Sequence, residues 1–217
     1  MMRVAGVISG ERQRQRERKS APPTTKHSAW ARNPIDHFVA VAQKRHGLQP
    51  AQPANGKLLL RRIAMDITGI MPSAAELDAF PDKPTQADIR KVIDTYLASQ
   101  EYGRRWGRHW LDIARYAESS GKDANVAYPE AWRYRDFVID SFNANKPYDA
   151  FIREQIAGDL LPSASTALTA TQTIATGYLA IGTKSHTERN TRQFRLDVAD
   201  EQIDAIGQGI LGLTVAC

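Results

Sequence analysis

The sequence predicts an all-α chain, an irregular domain of eight or nine helices behind a disordered basic N-terminal arm. Three observations predict it. Apolar residues recur at three- and four-residue spacing from residue 34 to 211, cap and stop residues bracket those runs, and alternating β-branched runs between turns are absent. With 217 residues, 42% of them hydrophobic and 24% charged, the chain is long enough for one packed core and too apolar for wholesale disorder. No apolar run approaches the ~18 residues of a membrane span. Cys217 is the one cysteine, which excludes an internal disulfide framework and a multi-thiolate zinc site.

Each element has its own signal. Asn33 before Pro34 is an N-cap with proline at the first helical position, Ile35, Phe38, Val39 and Ala42 follow at helical spacing, and Gly47 stops a helix over 34–46. A second helix, 57–68, places Leu59, Leu60, Ile63 and Ile67 on one face and ends at Gly69. Ser73 with Glu76 reads as a capping box opening a short helix through Leu77 and Phe80. After the Pro81–Pro84 turn, a helix over 86–98 turns Ile89, Val92, Ile93, Tyr96 and Leu97 inward.

In the stretch 101–118 the period puts Tyr102, Trp106, Trp110, Ile113, Ala114 and Ala117 on one face and Arg105, Arg108, Asp112 and Arg115 largely on the other. A polar loop over 119–128 follows, then Pro129 opens a helix to about Asn143 carrying Trp132, Tyr134, Phe137, Val138 and Phe142. Trp106, Trp110, Trp132 and Phe137 are expected to share one core. Pro147 opens the next helix, with Phe151, Ile152 and Ile156 inward and Gly158 near its end. Residues 163–171 read as a Ser/Thr/Ala-rich loop, 174–181 as an apolar helical segment and 191–211 as the last long helix.

Charge divides the chain at residue 30. Residues 1–30 hold seven Lys/Arg against Glu11 and Glu17, and the remainder holds 22 residues of each sign. The arm reads as a solvated tail, with binding of nucleic acid as a minor alternative, because no aromatics interleave its arginines. The apolar stretch Val4–Ile8 is shorter than a secretory core, so the chain taken literally stays in the cytoplasm.

Several patterns look like chemistry. The segment 207–212 matches G-x-G-x-x-G, but a helical pattern precedes it and no strand does, so it is not a dinucleotide site. The segment 177–185 has phosphate-loop glycine spacing with Thr183 displacing Lys184, and it too lacks a strand. His109 and Asp112 lie three apart on one helix and form a candidate ligand or polar site with Arg115 and Asp136, although a hydrogen-bonded histidine and an ion-paired aspartate are the plainer readings. A carboxylate pair for glycoside chemistry could come from Glu118, Asp123, Glu130, Asp136 and Asp140. Trp106, Trp110, Trp132 and Tyr134, interleaved with arginines, fit either an aromatic surface for sugars and anions or a core with an ion-paired rim.

Six blocks carry a resemblance: NPIDHFV (33–39), LLLRRIAMDITGIMPSAAELDAF (58–80), YGRRWGRHWLDIARYAES (102–119), AWRYRDFVIDSFNANKPYDAFIREQIAGDLLP (131–162), IATGYLAIG (174–182) and LGLTVAC (211–217). In this order they resemble the cytochrome-c-associated domain of unknown function found in large planctomycete proteins, over residues 31–217. The resemblance implies an exported, multidomain, haem-associated protein connected with polysaccharide breakdown or electron transfer, and a c-type cytochrome module or a polysaccharide as partner. In that family the last block runs on into C-x-x-C-H, where two thiols and a histidine attach haem c. Cys217 matches the first thiol, and the chain stops there. It therefore reads as a truncated member that carries no cofactor of its own. The function expected is a non-catalytic helical module that binds glycan or docks a cytochrome. The alternatives are a carbohydrate-active enzyme using carboxylates within 112–140, and nucleic-acid binding through the arm.

Overall fold

The computed structural model describes residues 21–23, 30–122 and 124–215; most of the basic arm, Asp123 and Cys217 lie outside the described residues. The fold class is the one predicted: helices throughout, and no strand among the described residues beyond a single bridge between Ser119 and Ala127. Two compact units are distinguished, 1–53 and 54–217. The arm boundary read at residue 30 thus lies inside the first unit.

The first unit holds α1, Pro34–Arg45. Its Asn33 side chain accepts from the Asp36 amide at 3.1 Å while Asp36 accepts from the Asn33 amide at 3.2 Å, a reciprocal capping box. The stop is a Schellman turn: Gly47 has φ +67°, its amide bonds Lys44 O, and the Leu48 amide reaches back to Gln43 O.

The second unit begins with α2 (Gly56–Ile67), α3 (Ala74–Ala79) and α4 (Gln86–Leu97). Ser73 with Glu76 and Thr85 with Asp88 form the capping boxes of α3 and α4, and the Tyr96 hydroxyl donates to Glu76 at 3.2 Å, which ties the two helices together. Next come α5 (Gln100–Ile113) and α6 (Ala131–Asn143), the most extensively packed pair, then α7 (Tyr148–Ala157), which runs into a 3-10 turn over 158–160. The chain closes with α8 (Thr166–Ala175), the single turn α9 (Gly177–Ala180) and α10 (Thr191–Ile206), which continues as a π-turn over 207–211.

The face that α5 buries is Gly103, Gly107 and Trp110, continued by Ala114. A Cβ on Gly103 would stand 2.5 Å from Ile139 O and from the Asn143 side chain, so only glycine permits this approach to α6. Asn143 Oδ1 in turn accepts from the Gly103 amide at 2.8 Å, satisfying one of the donors a helix leaves unpaired in its first turn. Above this seam Trp110, Tyr134, Phe137, Val138, Phe151 and Tyr178 form one core cluster.

Two tryptophans expected in that core are outside it. Trp106 and Trp132 are 40% and 42% exposed. The buried stripe of α5 runs through its glycines, which turns Trp106 off the seam; its indole instead donates to Ile67 O at 3.2 Å beside Arg105 on Asp66 O at 3.1 Å. These two bonds close the C-terminus of α2 from α5. Trp132 lies at the start of α6 under the Arg133 guanidinium, 4.9 Å from its ring. A second difference is α8, which begins inside the predicted loop. Ser165 caps it through the Leu168 amide, and Thr169, Thr171 and Thr173 turn their hydroxyls onto carbonyls four residues back, hiding the polarity that made the segment read as a loop.

Two outcomes follow from this packing. Gly103→Ala should lower stability by about 1–3 kcal/mol despite alanine's better helix propensity, read as the urea midpoint; a midpoint at or above the parent's would mean the two backbones are not in contact. The Ser73 hydroxyl, then the Ser73 amide and the Tyr96 hydroxyl, hold the Glu76 carboxyl below the ordinary glutamate value. A depressed pKa stabilises the fold above the unfolded value of about 4.3 and stops doing so as pH falls through the lower folded value. The stability gap between the parent and Ser73→Ala should therefore shrink on acidification, and a gap independent of pH from 7 down to about 2.5 would contradict the pairing.

Candidate functional site

Trp110 and Tyr134 do not belong to a surface: they are 7% and 2% exposed. Trp110 Nε1 donates to Gln155 Oε1 at 2.8 Å and to the Tyr134 hydroxyl at 3.1 Å, and that hydroxyl donates to the same Gln155 oxygen at 2.6 Å. Gln155 then donates its own amide to Phe151 O at 3.1 Å. Burial pushes the Tyr134 phenol well above its ordinary pKa, so it stays neutral while the chain is folded. This is a satisfied polar knot joining α5, α6 and α7, and its role is structural.

The remaining predicted residues do not converge. His109 is exposed on α5 and meets the Trp106 ring edge-on, with centroids 5.5 Å apart. Asp112, on the same helix, is exposed as well. Arg115 sits one position past the cap of α5 in the left-handed region, φ +54°, where its amide bonds Asp112 O and the Tyr116 amide bonds Leu111 O. Its guanidinium reaches Glu201 of α10 at 2.8 Å. Asp136 pairs with Arg135 at 3.0 Å, and Arg135 also approaches Glu118 at 3.4 Å. Burial, with Glu118 accepting the Tyr116 hydroxyl at 2.9 Å, pushes that phenol up to about 12. Glu130 pairs with Arg133, and Asp123 lies outside the described residues. Three carboxylates considered for glycoside chemistry are thus held by arginines. No group of three His, Cys, Asp or Glu among the described residues is placed to hold a metal ion.

What the fold does build is a cleft of about 190 Å³ where α5, α6 and α7 meet. Tyr102 and Phe142 line it edge to face at 6.4 Å, Trp110, Ser141 and Phe151 line it further, and Asn145, Lys146 and Tyr148 complete it. The turn after α6 places these last three residues. Asn145 takes φ +48°, its amide bonds Phe142 O, and the Lys146 amide bonds Ser141 O at 2.9 Å, a Schellman turn with asparagine in the position that favours glycine. Pro147 then starts α7 and leaves Tyr148 61% exposed. The Lys146 ammonium is bound to the buried Glu154 carboxylate and stands 4.7 Å above the Phe137 ring, so the charge at the cleft is already balanced. Trp106 continues the aromatic series, 6.3 Å from Tyr102. A second, more open cleft of about 430 Å³ lies between the start of α6 and α8–α9, lined in part by Tyr128, Arg133, Thr173 and Ile174.

None of the cleft-lining residues Tyr102, Asn145, Lys146 and Tyr148 carries a functional signal in the sequence. The one local signal was Asn-Lys-Pro after a helical run, which reads as a turn and not as a site.

A family model described as PSCyt2, protein of unknown function (DUF1549), matches residues 34–217. The chain belongs to this family. Neither a curated protein nor a solved structure matches it. The PSCyt2 match starts at the first residue of α1 and takes in every later helix. Cys217, the residue the resemblance matches to a haem-attaching thiol, lies outside the described residues, and neither cleft is lined by His, Met or Cys.

The polar knot generates its own prediction. Gln155→Leu removes the shared acceptor: Trp110 N–H can still donate to the Tyr134 oxygen, but the buried Tyr134 O–H is left without an acceptor, which should cost about 1–3 kcal/mol in chemical denaturation. An unchanged midpoint would mean that water already reaches these groups.

Proposed function

We propose that this PSCyt2 chain is a non-catalytic helical binding module that takes a glycan in the α5–α6–α7 cleft, as one part of a larger exported, haem-associated protein. The observation that carries the reading is the composition of the cleft: Tyr148 and Tyr102 offer aromatic faces while Asn145 and Lys146 offer hydrogen-bonding groups beside them. A sugar ring has complementary sides, polarised C–H groups on its faces and hydroxyls around its edge, and a few convergent polar groups in an aromatic cleft are what fixes such a ligand. The Lys146–Glu154 pair supports an uncharged glycan over an anionic one, because the cation is already matched. The pairing of Glu118, Glu130 and Asp136 with arginines favours binding over glycoside hydrolysis, which needs one carboxyl group free to give up its proton.

Affinity electrophoresis through gels carrying soluble neutral glucans, xylans or galactans tests this. At least one polysaccharide should retard the chain, and Tyr148→Ala, at a side chain that carries little of the fold, should weaken that retardation about tenfold. A chain that no polysaccharide retards, or a Tyr148→Ala chain retarded as strongly as the parent, would overturn the reading.

A further inference from the structure

The helix α1 presents its apolar stripe to solvent. Ile35 is 71% exposed, Phe38 and Val39 are exposed beside it, Ala42 completes the row one turn later, and the helix buries none of its residues. Those four positions, i, i+3, i+4 and i+7, are the face that an amphipathic helix normally covers. The part of the sequence that carries the stripe is as one-sided in charge as the stripe is apolar. Residues 1–45 carry ten Lys/Arg, among them Arg32 just before the helix and Lys44 and Arg45 in its last turn, against Glu11, Glu17 and Asp36. The rest of the chain carries 19 basic and 21 acidic residues, so the excess positive charge belongs to this segment alone.

We propose that α1, with Arg32 before it and Lys44 and Arg45 in its last turn, is a site for an anionic lipid surface, on which the helix lies in the plane with Ile35, Phe38 and Val39 entering the acyl boundary. Two signals of this kind reinforce one another: cations draw the segment to acidic headgroups, and a short apolar face then holds it there. A nucleic acid would use the cations and leave the apolar stripe in water. A second copy would cover the stripe but bring two strongly positive segments together. The chemistry therefore favours lipid, and it is independent of the cleft and its ligand. It involves no membrane crossing: no helix among the described residues is long and apolar enough to span a bilayer.

The test is co-sedimentation of the full chain with vesicles of equal phosphatidylglycerol and phosphatidylcholine, beside vesicles of phosphatidylcholine alone. Binding should be confined to the anionic vesicles and fall as salt is raised. Phe38→Asp should weaken it about tenfold or more, and Gln49→Asp, the same charge change off the stripe, should leave it nearly intact. Helical circular dichroism of both variants should equal the parent's, since both positions are exposed. Four results would each overturn the proposal: no sedimentation with anionic vesicles, equal binding to neutral ones, equal losses in the two variants, or a concentration-dependent dimer that Phe38→Asp dissolves while vesicle binding is unaffected. Duplex DNA that competes vesicles off the parent and binds Phe38→Asp as tightly as anionic vesicles bind the parent would assign the segment to nucleic acid instead.

Discussion

The close approach of α5 to α6 is the constraint on which the rest of the second unit depends. It exists because Gly103 has no Cβ: any larger residue there would enter Ile139 O and the Asn143 side chain. With the backbones this near, Trp110, two turns after Gly103, falls where its indole N–H can meet both Tyr134 and Gln155, and its ring can meet Phe151 edge-on at 5.0 Å. The same orientation of α5 turns Arg105 and Trp106 outward onto the last carbonyls of α2. One seam thus fixes the core on its inner side and anchors the preceding helices on its outer side.

The cleft is a consequence of how this seam ends. Once α6 stops in its Schellman turn, Asn145 and Lys146 are carried back toward the start of α5, and Pro147 sends α7 off with Tyr148 at the mouth. Glu154, buried on α7, then holds Lys146. Removing one partner of such a buried pair leaves the other uncompensated, so this pair ties the turn after α6 to α7 as well as shaping the cleft. The cleft and the fold therefore share residues at this end of the seam.

Much of the fold was legible because its signals are local. Asn33, Ser73, Gly47 and Gly69 mark helix ends by their own backbone and side-chain chemistry, and each is found at the boundary it predicts. The inward face of α5 was less legible for a physical reason. Apolar periodicity counts Trp106 and Ile113 toward the core and gives glycine no weight, yet contact between helix backbones is decided by the smallest residues, so the buried stripe ran through Gly103 and Gly107 instead. Trp110 was rightly placed in the core and also offered for a surface; only the partners at Tyr134 and Gln155 decide between those two. The cleft could not be read at all, because Tyr102 is brought to Tyr148 by the α6–α7 turn and not by any spacing in the chain. Ion pairing hid from view for the same reason: Arg115 finds Glu201 from the far end of the sequence.

Native-state hydrogen exchange tests the seam most directly. If α5 and α6 form the constraint described, the amides of Gly107, Trp110, Phe137 and Val138 belong to the slowest-exchanging set and open only with global unfolding, while those of α3 and α8 open earlier and at lower free energy. Exchange at Gly107 and Val138 as fast as in α8 would contradict the account, since the two helices would then separate without unfolding the core they are said to define.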